Sequence, residues 1–157
     1  MNHLNQIAEK LPEYGLDAVL IVSEPGERYA VGFLGEGYVL VTRDGARYST
    51  DGRYIEAARR QVTGAEVCLI SREKGHLDLA RDWIRDRGLK KVGFESGAVS
   101  ADRLRLWEKE LPCELTPAQE LLDGLRASKD GEELAAMGLA IDKLTDEQVE
   151  YLNGWKA

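Results

Sequence analysis

The stretch Tyr38-Val-Leu-Val-Thr42, Arg43-Asp-Gly45, Ala46-Arg-Tyr-Ser-Thr50 constrains the fold more than any other part of this chain. Two strand-like runs flank an Asp-Gly turn, and that chemistry specifies a β-hairpin, hence an antiparallel pair. After residue 60 the rhythm changes. A strand-like run over 65–70 leads to a helical pattern over 77–87, with Leu77, Ala80, Trp83 and Ile84 on its inner face and Gly88 at its end. The run Lys91-Val-Gly-Phe-Glu95 leads to a helix capped by Ser100, with Leu104, Leu106 and Trp107 as its apolar positions and Pro112 as its stop. A short strand over 113–115 leads to a short helix begun by Pro117 as its first residue. Strands alternating with helices imply parallel crossovers. One antiparallel hairpin joined to parallel crossovers predicts an α/β domain built on a mixed β-sheet with helices on both faces.

The remaining elements fit this frame. Leu4, Ile7, Ala8 and Leu11 share one face of a helix over 5–14 that Gly15 ends. Asp17-Ala-Val-Leu-Ile-Val22 is a continuous apolar run, the pattern of a buried strand. Residues 27–31 form a short helix or turn, and Gly32, Gly35 and Gly37 permit a tight loop. Residues 53–61 are helical, with Tyr54, Ala57, Ala58 and Gln61 at helical spacing. The α/β domain ends near Leu125. Residues 126–131 look like a hinge, with Ser128 or Asp130 available as a helix cap. Beyond it Leu134, Met137, Ile141, Leu144, Tyr151 and Trp155 recur at three- and four-residue steps, which predicts one long C-terminal amphipathic helix.

Composition narrows the class. The 157 residues suit one domain, or one domain and a fragment of another, and 43% apolar with 31% charged residues marks a globular chain. A net charge of −7 argues against a nucleic-acid binder, which needs a basic face for phosphates. No apolar stretch approaches the ~20 residues that span a bilayer, and the N-terminus lacks the pattern of a signal peptide. Cys68 and Cys113 form no zinc or redox spacing and read as buried free thiols. A cytoplasmic location is expected.

Chemistry-bearing residues are sparse. The two histidines are His3, expected in a mobile terminus, and His76, expected as a solvated helix-start residue. No H-E-x-x-H, P-loop, G-x-S-x-G or G-x-G-x-x-G stands in the chain. Gly35-Glu-Gly37 has only the first pair of a dinucleotide fingerprint. Glu132-Glu133 and Asp146-Glu147 lie among helical apolar positions and read as a solvated face rather than a metal site. The sequence therefore yields no catalytic residue and no metal ligand. Two local motifs remain, Gly32-Phe33-Leu34-Gly35 before a strand and Thr50-Asp51-Gly52-Arg53-Tyr54 after one. They are turn and cap chemistry, or a loop bordering a ligand site on a partner domain or subunit.

Together with Leu16-Asp-Ala-Val-Leu-Ile-Val-Ser23, Arg28-Tyr29 before Gly32, Asp44-Gly45, and Glu56 and Ala58 after Tyr54, these motifs run in an order that resembles the N-terminal domain of the creatinase/aminopeptidase P/prolidase family of metallopeptidases. Leu125-Arg126, Lys129 and Glu132-Glu133-Leu134 resemble that family's interdomain junction. Two stretches depart from the pattern. Glu24-Pro-Gly-Glu27 replaces an Asn-rich entry, and Leu34-Gly-Glu-Gly37 replaces a loop with threonine and serine.

The resemblance implies an accessory domain over 1–125, a hinge over 126–131, and over 132–157 the first helix of a pita-bread catalytic domain that is missing. In the family that catalytic domain hydrolyses Xaa-Pro peptides with two divalent metals (Mn, Co or Zn) held by two Asp, one His and two Glu. None of the five has a match here, so the chain alone is expected to be inactive, while creatinase uses the same scaffold on creatine without metal. The implied partners are the chain's own catalytic domain, a second copy in a homodimer, and a peptide substrate. The family's N-terminal domains build oligomer interfaces, and their loops reach a neighbouring active site. Carried over, Phe33, Glu36 and Tyr38 become substrate-rim candidates, with Arg53 and Tyr54 as anchors of the same edge. The alternatives are a non-enzymatic protein- or peptide-binding module of the same fold, as in a histone chaperone, and an unrelated α/β domain with a helical dimerisation tail. In the last case the Gly32 and Asp51 motifs would lie apart and buried.

Overall fold

The computed structural model describes residues 2–129, 131–136 and 138. Six strands form one sheet: β1 (Ala18–Ile21), β2 (Tyr38–Thr42), β3 (Gly45–Thr50), β4 (Glu66–Leu69), β5 (Lys91–Phe94) and β6 (Glu114–Pro117). Their spatial order is β4-β3-β2-β1-β5-β6. The β1–β2 and β2–β3 pairs are antiparallel, and the β3–β4, β1–β5 and β5–β6 pairs are parallel. The hairpin closes at Thr42 opposite Gly45, leaving Arg43 and Asp44 as its turn. The mixed sheet read from the Asp-Gly turn and the later crossovers is the sheet observed.

The helices are α1 (Leu4–Lys10), α2 (Glu24–Val31), α3 (Ile55–Gln61), α4 (His76–Asp86), α5 (Ala101–Glu110), α6 (Gln119–Ala127) and α7 (Gly131–Ala136). Side chains alternate across a strand, so β1 feeds two cores. Val19 and Ile21 pack with Ile7 of α1, Tyr29 and Ala30 of α2, Ala58 of α3 and Leu121 of α6. Ala18 and Leu20 pack with Trp83 and Ile84 of α4 and Trp107 of α5. Helices therefore cover both faces, as expected. Among the described residues no helix is long and apolar enough to cross a membrane.

Several local expectations need correction. The helix after β1 starts at Glu24 rather than near 27, because Ser23 Oγ accepts from the Gly26 amide at 3.0 Å and Pro25 sits in the first turn, where its missing N–H costs nothing. The expected helix over 5–14 becomes α1 followed by a 3₁₀ turn over Leu11–Tyr14, still ended by a left-handed Gly15. Leu106 is not an inner residue of α5; it is 50% exposed, and Trp107 takes the core at 1%. Pro117 ends β6 rather than opening a helix. His3 is buried, with its ring stacked on Tyr29 at 4.0 Å and Nδ1 2.8 Å from the Tyr29 carbonyl. Cys68 and Cys113 are free, and half-buried rather than buried. The expected long C-terminal helix is not shown: α7 spans only Gly131–Ala136, Gly138 beyond it has φ +68, and Met137, Ile141, Leu144, Tyr151 and Trp155 lie outside the described residues.

One buried acid sits where the sheet divides its helices. Parallel neighbours β1 and β5 send α2 to one face and α5 to the other. Glu95, 2% exposed, follows β5 and accepts from the Val22 amide (2.7 Å), the Ser23 amide (2.9 Å) and Ser23 Oγ (2.6 Å). It thereby closes the N-terminus of α2.

Candidate functional site

The Gly32 and Asp51 motifs do not lie apart. The loop after α2 and the turn after β3 meet at one end of the sheet. Gly32 caps α2 with φ +68, a conformation that favours glycine. The chain then crosses Phe33 to Gly37 and enters β2. Within the loop Glu36 has φ +52, the one non-glycine residue with positive φ among the described residues. Its carboxylate accepts from Arg53 Nη2 at 2.6 Å. The same guanidinium reaches Asp51 Oδ2 at 2.7 Å and lies 5.0 Å from the centre of the Tyr54 ring. Asp51 Oδ1 also accepts from the Arg53 amide at 2.8 Å, and its backbone carbonyl accepts from the amides of Tyr54 and Ile55, so the turn leads into α3.

The electrostatics follow from this geometry. The Arg53 side chain and then its amide hold the Asp51 carboxyl below the usual carboxylate range. Asp51 and then Glu36 raise the guanidinium's already high pKa further. The group carries one net negative charge. Arg53 is 62% exposed, so screening keeps each pair weak, and the cluster acts through geometry more than through binding energy.

Glu36, Arg53 and Tyr54 are thus together at the surface. Phe33 is beside them but half-buried, its ring edge-on to Tyr48 at 6.1 Å. Tyr38 belongs to the other face of the sheet. Its ring stacks on His76, Arg103 Nη2 donates to its hydroxyl, and the Arg103 Cζ lies 5.3 Å from the ring centre. His76 is therefore not a solvated helix start. It is half-buried, with Nδ1 2.8 Å from Ser49 Oγ, and burial lowers its pKa despite the attraction of Asp51. This hydroxyl–imidazole pair joins α4 to β3. Ser49 is 7% exposed, and the crevice beside it holds about 20 Å³, room for one water.

Beneath the loop lies a residue that the motifs did not single out. Glu27 Oε1 accepts from the amides of Gly35 (2.9 Å) and Gly37 (3.1 Å) and from the Tyr48 hydroxyl. Burial, then the hydrogen bond to Glu27, raises the Tyr48 phenol well above its ordinary value and keeps it a donor. The visible signal was an acid three and four residues before Ala30 and Val31, on the apolar stripe of α2.

No group of three or more His, Cys, Asp or Glu side chains able to hold a metal ion occurs among the described residues. A concavity of about 530 Å³ between α1 and α6, lined by Tyr14, Leu121 and Leu125 among others, shares no residue with the loop cluster. The cluster presents a cation and two anions on a shaped loop, an arrangement that can contact and orient a ligand.

Residues 3–128 match the creatinase/prolidase N-terminal domain. The chain is 28% identical over 151 residues to the uncharacterized peptidase YqhT of Bacillus subtilis (strain 168), covering 95% of this chain and 42% of that protein. Among solved structures it is similar to a Xaa-Pro dipeptidase from Bacillus anthracis, with a TM-score of 0.80 and 25% identity over 97% of this chain and 42% of that one. It is also similar to the N-terminal domain of the cytoplasmic peptidase PepQ from Mycobacterium tuberculosis H37Rv, with a TM-score of 0.69 and 31% identity over 79% of this chain and 98% of that one. The chain thus spans about two fifths of the curated relative's length. It belongs to the creatinase/prolidase N-terminal domain family.

Proposed function

We propose that this member of the creatinase/prolidase N-terminal domain family is the non-catalytic domain of a cytoplasmic Xaa-Pro peptidase, and that its loop cluster forms part of the substrate rim of a neighbouring active site in a homodimer. The observation that carries this reading is the exposed Glu36–Arg53–Asp51 cluster. Three charged side chains, from the loop after α2 and the turn after β3, are held together in a defined geometry at the surface. Arg53 offers donors to a peptide carbonyl or carboxylate, and Glu36 offers an acceptor to a peptide amine. A rim of this kind limits substrate length and improves orientation without touching the scissile bond.

Hydrolysis itself is assigned to a catalytic domain outside this chain, using two divalent metals (Mn, Co or Zn). The described residues offer no ligand set for them, so no step is placed on this chain.

The test is to express the complete reading frame and assay an Xaa-Pro dipeptide with Mn²⁺. Arg53→Ala is expected to raise KM by about tenfold with little change in kcat, the scale of one charge-assisted hydrogen bond. Unchanged KM in Arg53→Ala and Glu36→Ala together would remove the rim. Absence of Xaa-Pro hydrolysis by the complete protein would favour a peptide-binding module instead.

A further inference from the structure

We infer that Glu27 is the positioning residue of the rim, its buried carboxylate fixing the loop from Phe33 to Gly37 in its presenting shape before any partner or substrate arrives. The inference rests on the rim reading and names what shapes that rim. Glu27 is 1% exposed, in the first turn of α2, where the helix dipole favours an anion. A carboxylate so buried survives only if donors replace water. Here one oxygen receives three, and two of them are the amides on either side of Glu36. Neighbouring amides converge on one anion only when the backbone between them turns sharply. The left-handed Glu36 is that turn, and the clamp holds it in a conformation that a non-glycine residue adopts at a cost.

Three further contacts support the same shape. Thr50 Oγ1 donates to the Gly35 carbonyl at 2.6 Å, a second tether from β3. A Cβ at Gly35 would stand 2.7 Å from the Tyr48 hydroxyl, and one at Gly37 would collide with the Tyr48 ring and the Ser49 carbonyl. The loop backbone therefore lies directly on Tyr48, which donates to the same carboxylate. Glu27, Tyr48 and Thr50 hold the loop from within, and Arg53 holds Glu36 from outside. The loop is built as a fixed rim rather than a lid that closes.

The experiment is amide hydrogen exchange by NMR on the 157-residue chain, comparing the wild type with Glu27→Gln and Glu27→Leu. Glu27→Gln keeps an acceptor oxygen and loses the charge. The Gly35 and Gly37 amides are expected to exchange about tenfold faster in it, while Leu40 and Val41 in the adjoining hairpin keep their rates. Glu27→Leu, if it folds, should release the two glycines further. Unchanged rates at Gly35 and Gly37 would overturn the inference, as would a uniform rise across the hairpin. KM in the complete enzyme reads the rim separately. Faster loop exchange with higher KM and unchanged kcat supports both, whereas faster exchange with unchanged KM keeps the clamp and removes the rim.

Discussion

The imidazole of His76 lies nearly parallel to the phenol of Tyr38, their centroids 4.6 Å apart and their planes within 15°. The contact ties the start of α4 to the start of β2, and its protonation state bears on stability. Burial lowers the His76 pKa, Asp51 opposes that effect, and Arg103 adds to it. The folded chain then binds fewer protons at this site than the unfolded chain. Stability is full above the ordinary value of 6.5 and declines as pH falls from there through the lowered folded value. Urea midpoints should drop as pH falls below 6.5, and the drop should shrink in His76→Gln. Equal declines in both chains would place the effect elsewhere. Asp17, Asp44, Asp51 and Asp82 have lowered values and act in a separate window, losing their contribution as pH falls below 3.8.

Neighbouring loop positions should respond unequally to small changes. Gly37→Ala drives a methyl into the Tyr48 ring and the Ser49 carbonyl, and backbone cannot yield as a flexible side chain can. A loss of about 2–3 kcal/mol is expected. Glu36→Gly relieves the positive φ but loses the Arg53 pair and loosens the unfolded chain, so its effect should stay within about 1 kcal/mol. Chemical denaturation of the two variants checks the contrast, and similar losses in both would contradict it.

Glu95 offers a second buried carboxylate to test. Replacing it with Ala leaves the Val22 and Ser23 amides without their acceptor, and a loss of about 3 kcal/mol or more is expected. Gly26→Ala attacks the same junction from the other side, because its methyl would lie 2.6 Å from Ile21 Cγ2 and against the Glu95 carboxylate. Thermal unfolding of both should show lowered midpoints; a wild-type midpoint for Glu95→Ala would mean that water replaces the carboxylate at no cost.

Adjacent residues of α5 contrast sharply in burial. Trp107→Ala removes a 1% exposed ring from the core shared with Trp83 and Phe94 and should cost about 3–5 kcal/mol. Leu106→Ala, at a half-exposed site, should change stability by less than about 1 kcal/mol. Comparable values from urea titration would contradict the orientation of the helix.

What could be read in advance was local or periodic. The Asp-Gly turn announced the hairpin, and alternating elements announced the parallel crossovers. Glu24-Pro25-Gly26 concealed the start of α2, since Pro and Gly look like breakers until Ser23 is seen to cap the turn. Leu106 and Trp107 could not both face inward, and spacing alone did not choose between them. His3 and His76 were misplaced because their environments come from Tyr29 and Tyr38, far along the chain. At the candidate site Glu36 and Arg53 were each visible, but their pairing spans seventeen residues. Glu27 was hidden for the same reason, since its donors come from Gly35, Gly37 and Tyr48.

The position of Glu95 has a wider consequence. In open sheets with parallel strands, the crevice where successive helices leave on opposite faces is the usual ligand site, and a helix N-terminus there commonly receives a phosphate. In this domain the junction between β1 and β5 already contains a carboxyl group, supplied by the chain itself and bonded to the Val22 and Ser23 amides just before α2. A side chain of the domain's own thus fills that junction. In the proposed reading, recognition would then fall to the loops beside the hairpin.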